Sequence, residues 1–140
     1  MVLSIRLLKL SRISKDRVMT PKEVIKQWVR CFNEADIDGL MALYAECATN
    51  HQVVMEPLEG KEAIRSMFEI EFGRAKMVCE VENIFESGEW GILEWKDPLG
   101  LRGCGFFHIT DDKIHFQRGY FDQLSFFKIQ DIPIPDSYLQ

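Results

Sequence analysis

Apolar residues recur at helical spacing through the first half of the chain and then change to strict alternation. Thr20, Pro21 and Glu23 form the opening of a helix: a capping threonine, a proline suited to the first turn, and the glutamate that completes a capping box. Val24, Ile25, Trp28, Val29 and Phe32 then fall on one stripe. Asn33 to Asp38 interrupts the pattern, and a second helix carries Leu40, Met41, Leu43 and Tyr44. Residues of about 49–54 read as a first strand, punctuated by Pro57 and Gly60. A third helix starts near Lys61, holds Ala63, Ile64, Met67, Phe68 and Glu71 in register, and stops at Gly73.

Beyond Gly73 the period becomes two. Met77, Cys79 and Val81 alternate with Lys76, Glu80 and Glu82. Strands are expected from Trp90 to Lys96, from Arg102 to Thr110, and from Ile114 to about Phe127, joined by turns at Ser87-Gly88, Pro98-Leu99-Gly100 and Asp111-Asp112. Three helices followed by an antiparallel meander define an α+β layered fold. In the last strand Ile114, Phe116, Tyr120, Leu124 and Phe126 share one parity and Phe121 and Phe127 the other. Helices cover only one face of such a sheet, so apolar groups on both faces predict a homodimer built sheet to sheet.

Composition narrows the function classes. The chain has 140 residues, 46% hydrophobic and 28% charged, enough for one domain with its own core. A net charge of −5 argues against nucleic acid as the main partner. Cys31, Cys47, Cys79 and Cys104 form no CxxC pair, so reduced, mostly buried thiols in a cytoplasmic protein are expected. The histidines His51, His108 and His115 supply no zinc-ligand spacing, and no metal or cofactor is expected. Residues 1–18 mix Leu and Ile with Arg6, Lys9, Arg12, Lys15 and Arg17, too charged and short to span a bilayer. They read as an extension, either packed on the domain or upstream of a start at Met19, with a targeting or membrane-surface helix as the other reading. Residues 19–130 then form the domain and 131–140 an irregular tail.

Three phrases carry a family resemblance: Leu43-Tyr44-Ala45-Glu46-Cys47-Ala48, then Pro57-Leu58-Glu59-Gly60-Lys61-Glu62-Ala63-Ile64, then Gly119-Tyr120-Phe121-Asp122. In this order and spacing, from Thr20 to Ile129, the chain resembles the SnoaL-like branch of the NTF2-like superfamily, with its polyketide cyclase-like and ketosteroid isomerase-like members. The resemblance implies a cone of helices on a curved, mostly antiparallel sheet, enclosing a pocket for a small hydrophobic ligand. It also implies an acid/base aspartate late in the sheet, matched by Asp122. Where ketosteroid isomerases place their base on the first strand, this chain has Gln52. Where epoxide hydrolases place Arg-x-Asp, it has Glu94-Trp95-Lys96.

Candidate chemistry follows. Asp122 interrupts an apolar parity, and burial there would raise its pKa toward a useful acid/base range. A structural pairing with Arg118 is the competing role. Arg118 and Tyr120 share that parity and could orient a carbonyl or steady an oxyanion. Glu94 could face the same cavity as a second carboxylate. His108 and His51 could shuttle a proton, and Trp28 and Phe32 would line or plug the pocket. This kit suits a cofactor-independent isomerase, cyclase or hydratase acting on a small carbonyl compound. A non-catalytic ligand-binding module and a dimeric interaction module are the alternatives.

Overall fold

The computed structural model describes residues 17–140. The readings made for the N-terminal extension before that point lie outside the described residues. Helix α1 spans Pro21–Asn33. Its capping box is formed: Thr20 Oγ1 accepts from Glu23 N at 3.2 Å, and Glu23 Oε2 accepts from Thr20 N at 2.9 Å. The stripe Val24, Ile25, Trp28 and Val29 is buried, and each of its aliphatic side chains contributes about 1.5–3 kcal/mol.

Helix α2, Ile37–Leu43, is capped by Asp36, whose carboxylate accepts from Gly39 N at 2.9 Å. It ends one residue earlier than expected, because Tyr44 is extended and begins β1, Tyr44–Gln52. Pairing of Tyr44 with Ile114 across the sheet overrides the local helical pattern. A two-residue β2, Leu58–Glu59, leads to α3, Lys61–Arg74. Strands β3 (Glu80–Ser87), β4 (Trp90–Lys96), β5 (Arg102–Thr110) and β6 (Lys113–Phe121) complete a sheet of order β2-β1-β6-β5-β4-β3. The β1–β6 pair is parallel and the others are antiparallel. Asp111 and Asp112, both with positive φ, make the tight β5–β6 turn.

Helices α1 and α3 cover one face of this sheet. Val24, Ile25, Trp28, Ile64 and Phe68 pack there against Leu93, Phe107, Ile109 and Ile114. At one end the helix lies close on the strands, since a Cβ on Gly91 would overlap the Ile25 side chain. At the other end the covering side chains are only partly buried. Asn33 at the end of α1 holds Cys79, just before β3, through paired hydrogen bonds of 2.9 and 2.7 Å. Phe32, Phe72, Trp95 and Phe121 are half-buried at this end.

Two differences from the sequence reading bear on the site. The last strand does not run to Phe127: it stops at Phe121, and α4, Gln123–Ile129, follows with Asp122 as its N-cap. Paired aromatics imitated strand alternation, whereas the Asp122-x-x-Ser125 cap was the local signal for a helix. Second, β6 is bulged. Ile109 pairs with Ile114 but His108 pairs with Phe116, leaving His115 as the extra residue. Past the bulge the parity is reversed: Gln117, Gly119 and Phe121 face the helices, while Phe116, Arg118 and Tyr120 face away.

Candidate functional site on the inner face of the cone

A chain of neutral polar groups crosses the helix-covered face. Trp28 Nε1 donates to the Tyr44 hydroxyl at 2.9 Å, and that hydroxyl donates to Gln117 Oε1. Asn50 Nδ2 donates to the same oxygen at 3.2 Å, and Gln52 Nε2 donates to Asn50 Oδ1 at 3.0 Å. Helix α1 supplies the indole, β1 supplies Tyr44, Asn50 and Gln52, and β6 supplies Gln117, in register with Asn50. Asn50 and Gln117 are 1% and 5% exposed. Amides are this deeply buried only where hydrogen bonds offset desolvation, and among the described residues no buried side-chain polar atom lacks a partner. Burial raises the Tyr44 pKa, so the phenol remains a neutral donor. At the open end Gln52 lies over Gly119, whose missing side chain makes the space.

Aromatic rings roof this chain. Trp28 stacks on Phe32 at 5.0 Å between centroids, Phe32 meets Phe72 at 5.5 Å, and Phe68 stacks on Phe72 at 5.6 Å. Glu71 follows Phe68 by three residues on α3 and is half-buried, on the flank of the side that carries Ile64 and Phe68. Desolvation raises its pKa, Arg74 offsets this in part, and the Glu71 charge is felt at Tyr44.

Of the expected site residues, Trp28 and Phe32 lie on this face. Asp122 does not. It is exposed, its carboxylate accepts from Ser125 Oγ at 2.5 Å and from the amides of Leu124 and Ser125 at 3.2 and 3.3 Å, and the Ser125 hydroxyl and these amides lower its pKa. The expected rise is corrected to a fall, because the group caps a helix in water. Arg118 is on the opposite face, with Nε donating to His51 Nδ1 at 3.1 Å and the guanidinium 4.7 Å from the Phe116 ring. The expected Arg118–Asp122 pairing is absent among the described residues. Tyr120 is exposed beside Phe106. His108 pairs with Glu89 at 2.8 Å, and Glu94 accepts from Asn83 at 3.1 Å. The bulge at His115 moves Arg118 and Tyr120 outward. Glu94 and His108 are paired with Cys104 and Trp90 on that same outer face.

Sequence reasoning missed Tyr44, Asn50, Gln52, Gln117 and Glu71 as site residues. Two polar residues at alternate positions of β1, Asn50 and Gln52, were a usable signal. No group of three or more His, Cys, Asp or Glu side chains among the described residues converges as a metal site. A surface hollow of about 400 Å³ lies elsewhere: Asp122, Leu124, Phe127 and Ile132 line it, and its walls come from α4 and the tail. It gathers no buried polar groups, so the inner face is the better candidate.

Comparison with known proteins agrees with this architecture. The SnoaL-like domain family matches residues 25–116, and the chain belongs to that family. No curated protein sequence matches it. Among solved structures it is similar to an NTF2-like protein of unknown function from Cytophaga hutchinsonii, at 18% identity and TM-score 0.68, covering 80% of this chain and 98% of that one. An LEH-like epoxide hydrolase of M. tuberculosis matches at 20% identity and TM-score 0.69, covering 78% and 87%. A protein of ketosteroid isomerase-like fold from Catenulispora acidiphila, solved with trimethylamine, matches at 14% and TM-score 0.72, covering 82% and 96%. At these identities the likeness establishes the fold.

Proposed function

We propose that the inner face of the cone binds a small, mostly apolar molecule whose polar group is held by the Tyr44–Gln117–Asn50–Gln52 chain at the open end. The observation that carries this is the buried amide chain itself, which leads from the core to an end ringed by half-buried aromatics. Apolar walls with a few converging polar groups are how small-molecule sites are built. Each amide has two N–H groups, and one of those on Gln52 is used on Asn50, leaving the other for a ligand carbonyl or hydroxyl. The binding reading is favoured over an isomerase, cyclase or hydratase working through Asp122, which is an exposed helix cap. Four unpaired cysteines support a reducing, cytoplasmic location.

The test is ligand-dependent melting against cyclic ketones, polyketide-like aromatics, steroids and fatty acids, for wild type and Gln52→Leu. A bound ligand raises Tm by mass action, and the shift should shrink in the variant. A folded wild type indifferent to the whole panel, or a variant with an unchanged response, overturns the reading.

A second reading rests on the outer face. Phe85, Trp90 and Tyr120 are exposed there, and Ile92, Phe106 and Phe116 are half-buried. The helices leave this face uncovered, and it offers Glu94 together with Arg118 and His51 for pairing across a two-fold axis. A second copy of this chain is the proposed occupant.

A further inference from the structure

We propose that the pairing of two copies through the outer face is gated by pH, with His51 as the sensor and Arg118 as the group it releases. This rests on the outer face being the dimer contact and adds how that contact is controlled.

Arg118 stands inside the apolar patch. Phe106 is its partner on β5, His51 its partner on β1, and Phe116 and Tyr120 flank it on β6. Arg118 and His51 are both half-buried in the single chain, so a second copy on this face takes the cation further from water. A buried cation is tolerated only with partners. Among the described residues no carboxylate pairs with Arg118. Its guanidinium lies 4.7 Å from the centre of the Phe116 ring, and its Nε donates to His51 Nδ1 at 3.1 Å.

That hydrogen bond fixes the state of the imidazole. A guanidinium only donates, so the ring nitrogen facing it carries a lone pair and no proton. An imidazolium has no such nitrogen: both carry hydrogen, and the ring becomes a second cation against the first. Proton uptake therefore removes the acceptor of Arg118 and leaves two like charges on a face that association would desolvate. Histidine is the side chain that makes this change between about pH 5 and 8. The separate chains bind the proton and the pair excludes it, so association strengthens as pH rises and weakens as pH falls.

The other ionisable groups of this face do not duplicate the switch. Glu59 on β2 accepts from Thr49 Oγ1 at 2.7 Å, two positions before His51, and its charge favours proton uptake by the separate chains. On β5, His108 lies opposite Phe116 and is held by Glu89 at 2.8 Å, so a proton there strengthens a contact within one chain. His115 is exposed on the bulge beside it. Glu94 on β4, across β5 from Tyr120, is the carboxylate that a second copy offers to Arg118.

The test is sedimentation velocity of the full chain from about pH 5.5 to 8 at constant ionic strength, on wild type, His51→Asn and His108→Gln. Each is checked for fold by circular dichroism at both ends of that range. Asparagine offers Arg118 an acceptor oxygen and does not titrate. The wild-type dimer should dissociate roughly tenfold or more readily at the acid end than at the alkaline end. His51→Asn should hold one dissociation constant throughout, and His108→Gln should follow wild type. A wild-type dimer indifferent to pH, a His51→Asn dimer that still weakens in acid, or a His108→Gln dimer that no longer does, overturns the gate and leaves the dimer standing. A wild-type chain that is monomeric at every pH removes both.

Discussion

Asn50 on β1 and Gln117 on β6 sit opposite one another in the parallel pair, and the amide of Asn50 donates to Gln117 Oε1 at 3.2 Å. Tyr44 donates to that same oxygen. One side-chain carbonyl therefore ties the start of β1, its far end and β6 together beneath α1. The arrangement fixes the inner face in one geometry, because each member would otherwise be an unsatisfied buried group.

Replacing Gln117 by leucine should break that node. The Tyr44 hydroxyl and the Asn50 amide would lose their acceptor inside the core, at a cost of about 1–3 kcal/mol for each group left unpaired. Urea unfolding followed by fluorescence measures it. A loss below about 0.5 kcal/mol would mean that the network relaxes to other partners.

Glu71→Gln should raise stability at neutral pH. Desolvation holds the Glu71 pKa above its ordinary value, so the native state binds a proton more readily than the unfolded chain. Its contribution is complete below about pH 4, the unfolded range, and is lost as pH rises through the higher folded value. The neutral glutamine escapes that loss. Melting temperatures of wild type and variant should therefore converge on acidification and separate toward pH 7, with the variant higher.

Asp122→Ala should loosen α4 and leave the core intact. The carboxylate caps Leu124 and Ser125, and α4 has no buried residue. The Asp122 pKa is lowered on folding, so the cap acts above the usual carboxylate range and is lost as pH falls through the folded value. Amide hydrogen exchange should show faster exchange over 124–129 in the variant, with protection on β5 and β6 unchanged. Slowed binding or lost activity without that local change would restore Asp122 as a chemical group.

Tyr120→Glu tests the outer face. A charge placed at the centre of an apolar dimer contact should shift a dimer to monomer in light scattering at micromolar concentration, with the melting profile of the domain retained. A wild type that is monomeric at the same concentrations contradicts the dimer.

Much of the fold was legible because its signals are local. The Thr20–Glu23 box, the Val24 to Phe32 stripe and the turns bounding β4 and β5 depend on neighbours in sequence, and these elements begin and end close to where the pattern puts them. The site was less legible because facing depends on a single residue. His115 is the bulge that exchanges the two faces of β6, and nothing in the alternation of Ile114, Phe116 and Tyr120 marks it. Asp122 was misread for a related reason: strand parity was carried past Phe121, where a short helix begins. Tyr44 was assigned to a helix by periodicity, and its role depends on contacts with Trp28 and Gln117 far away in sequence.

The three tryptophans offer the most direct test of the central claim, because they divide between the two faces. Trp28 and Trp95 lie on the inner side and Trp90 on the outer side. Indole N–H resonances of 15N-labelled protein, followed during titration with a ligand from the melting panel, report which face is occupied. The account predicts that Trp28 and Trp95 shift in a saturable way while Trp90 stays still. Movement of Trp90 alone, with the inner pair unperturbed, would place binding on the outer face and contradict it.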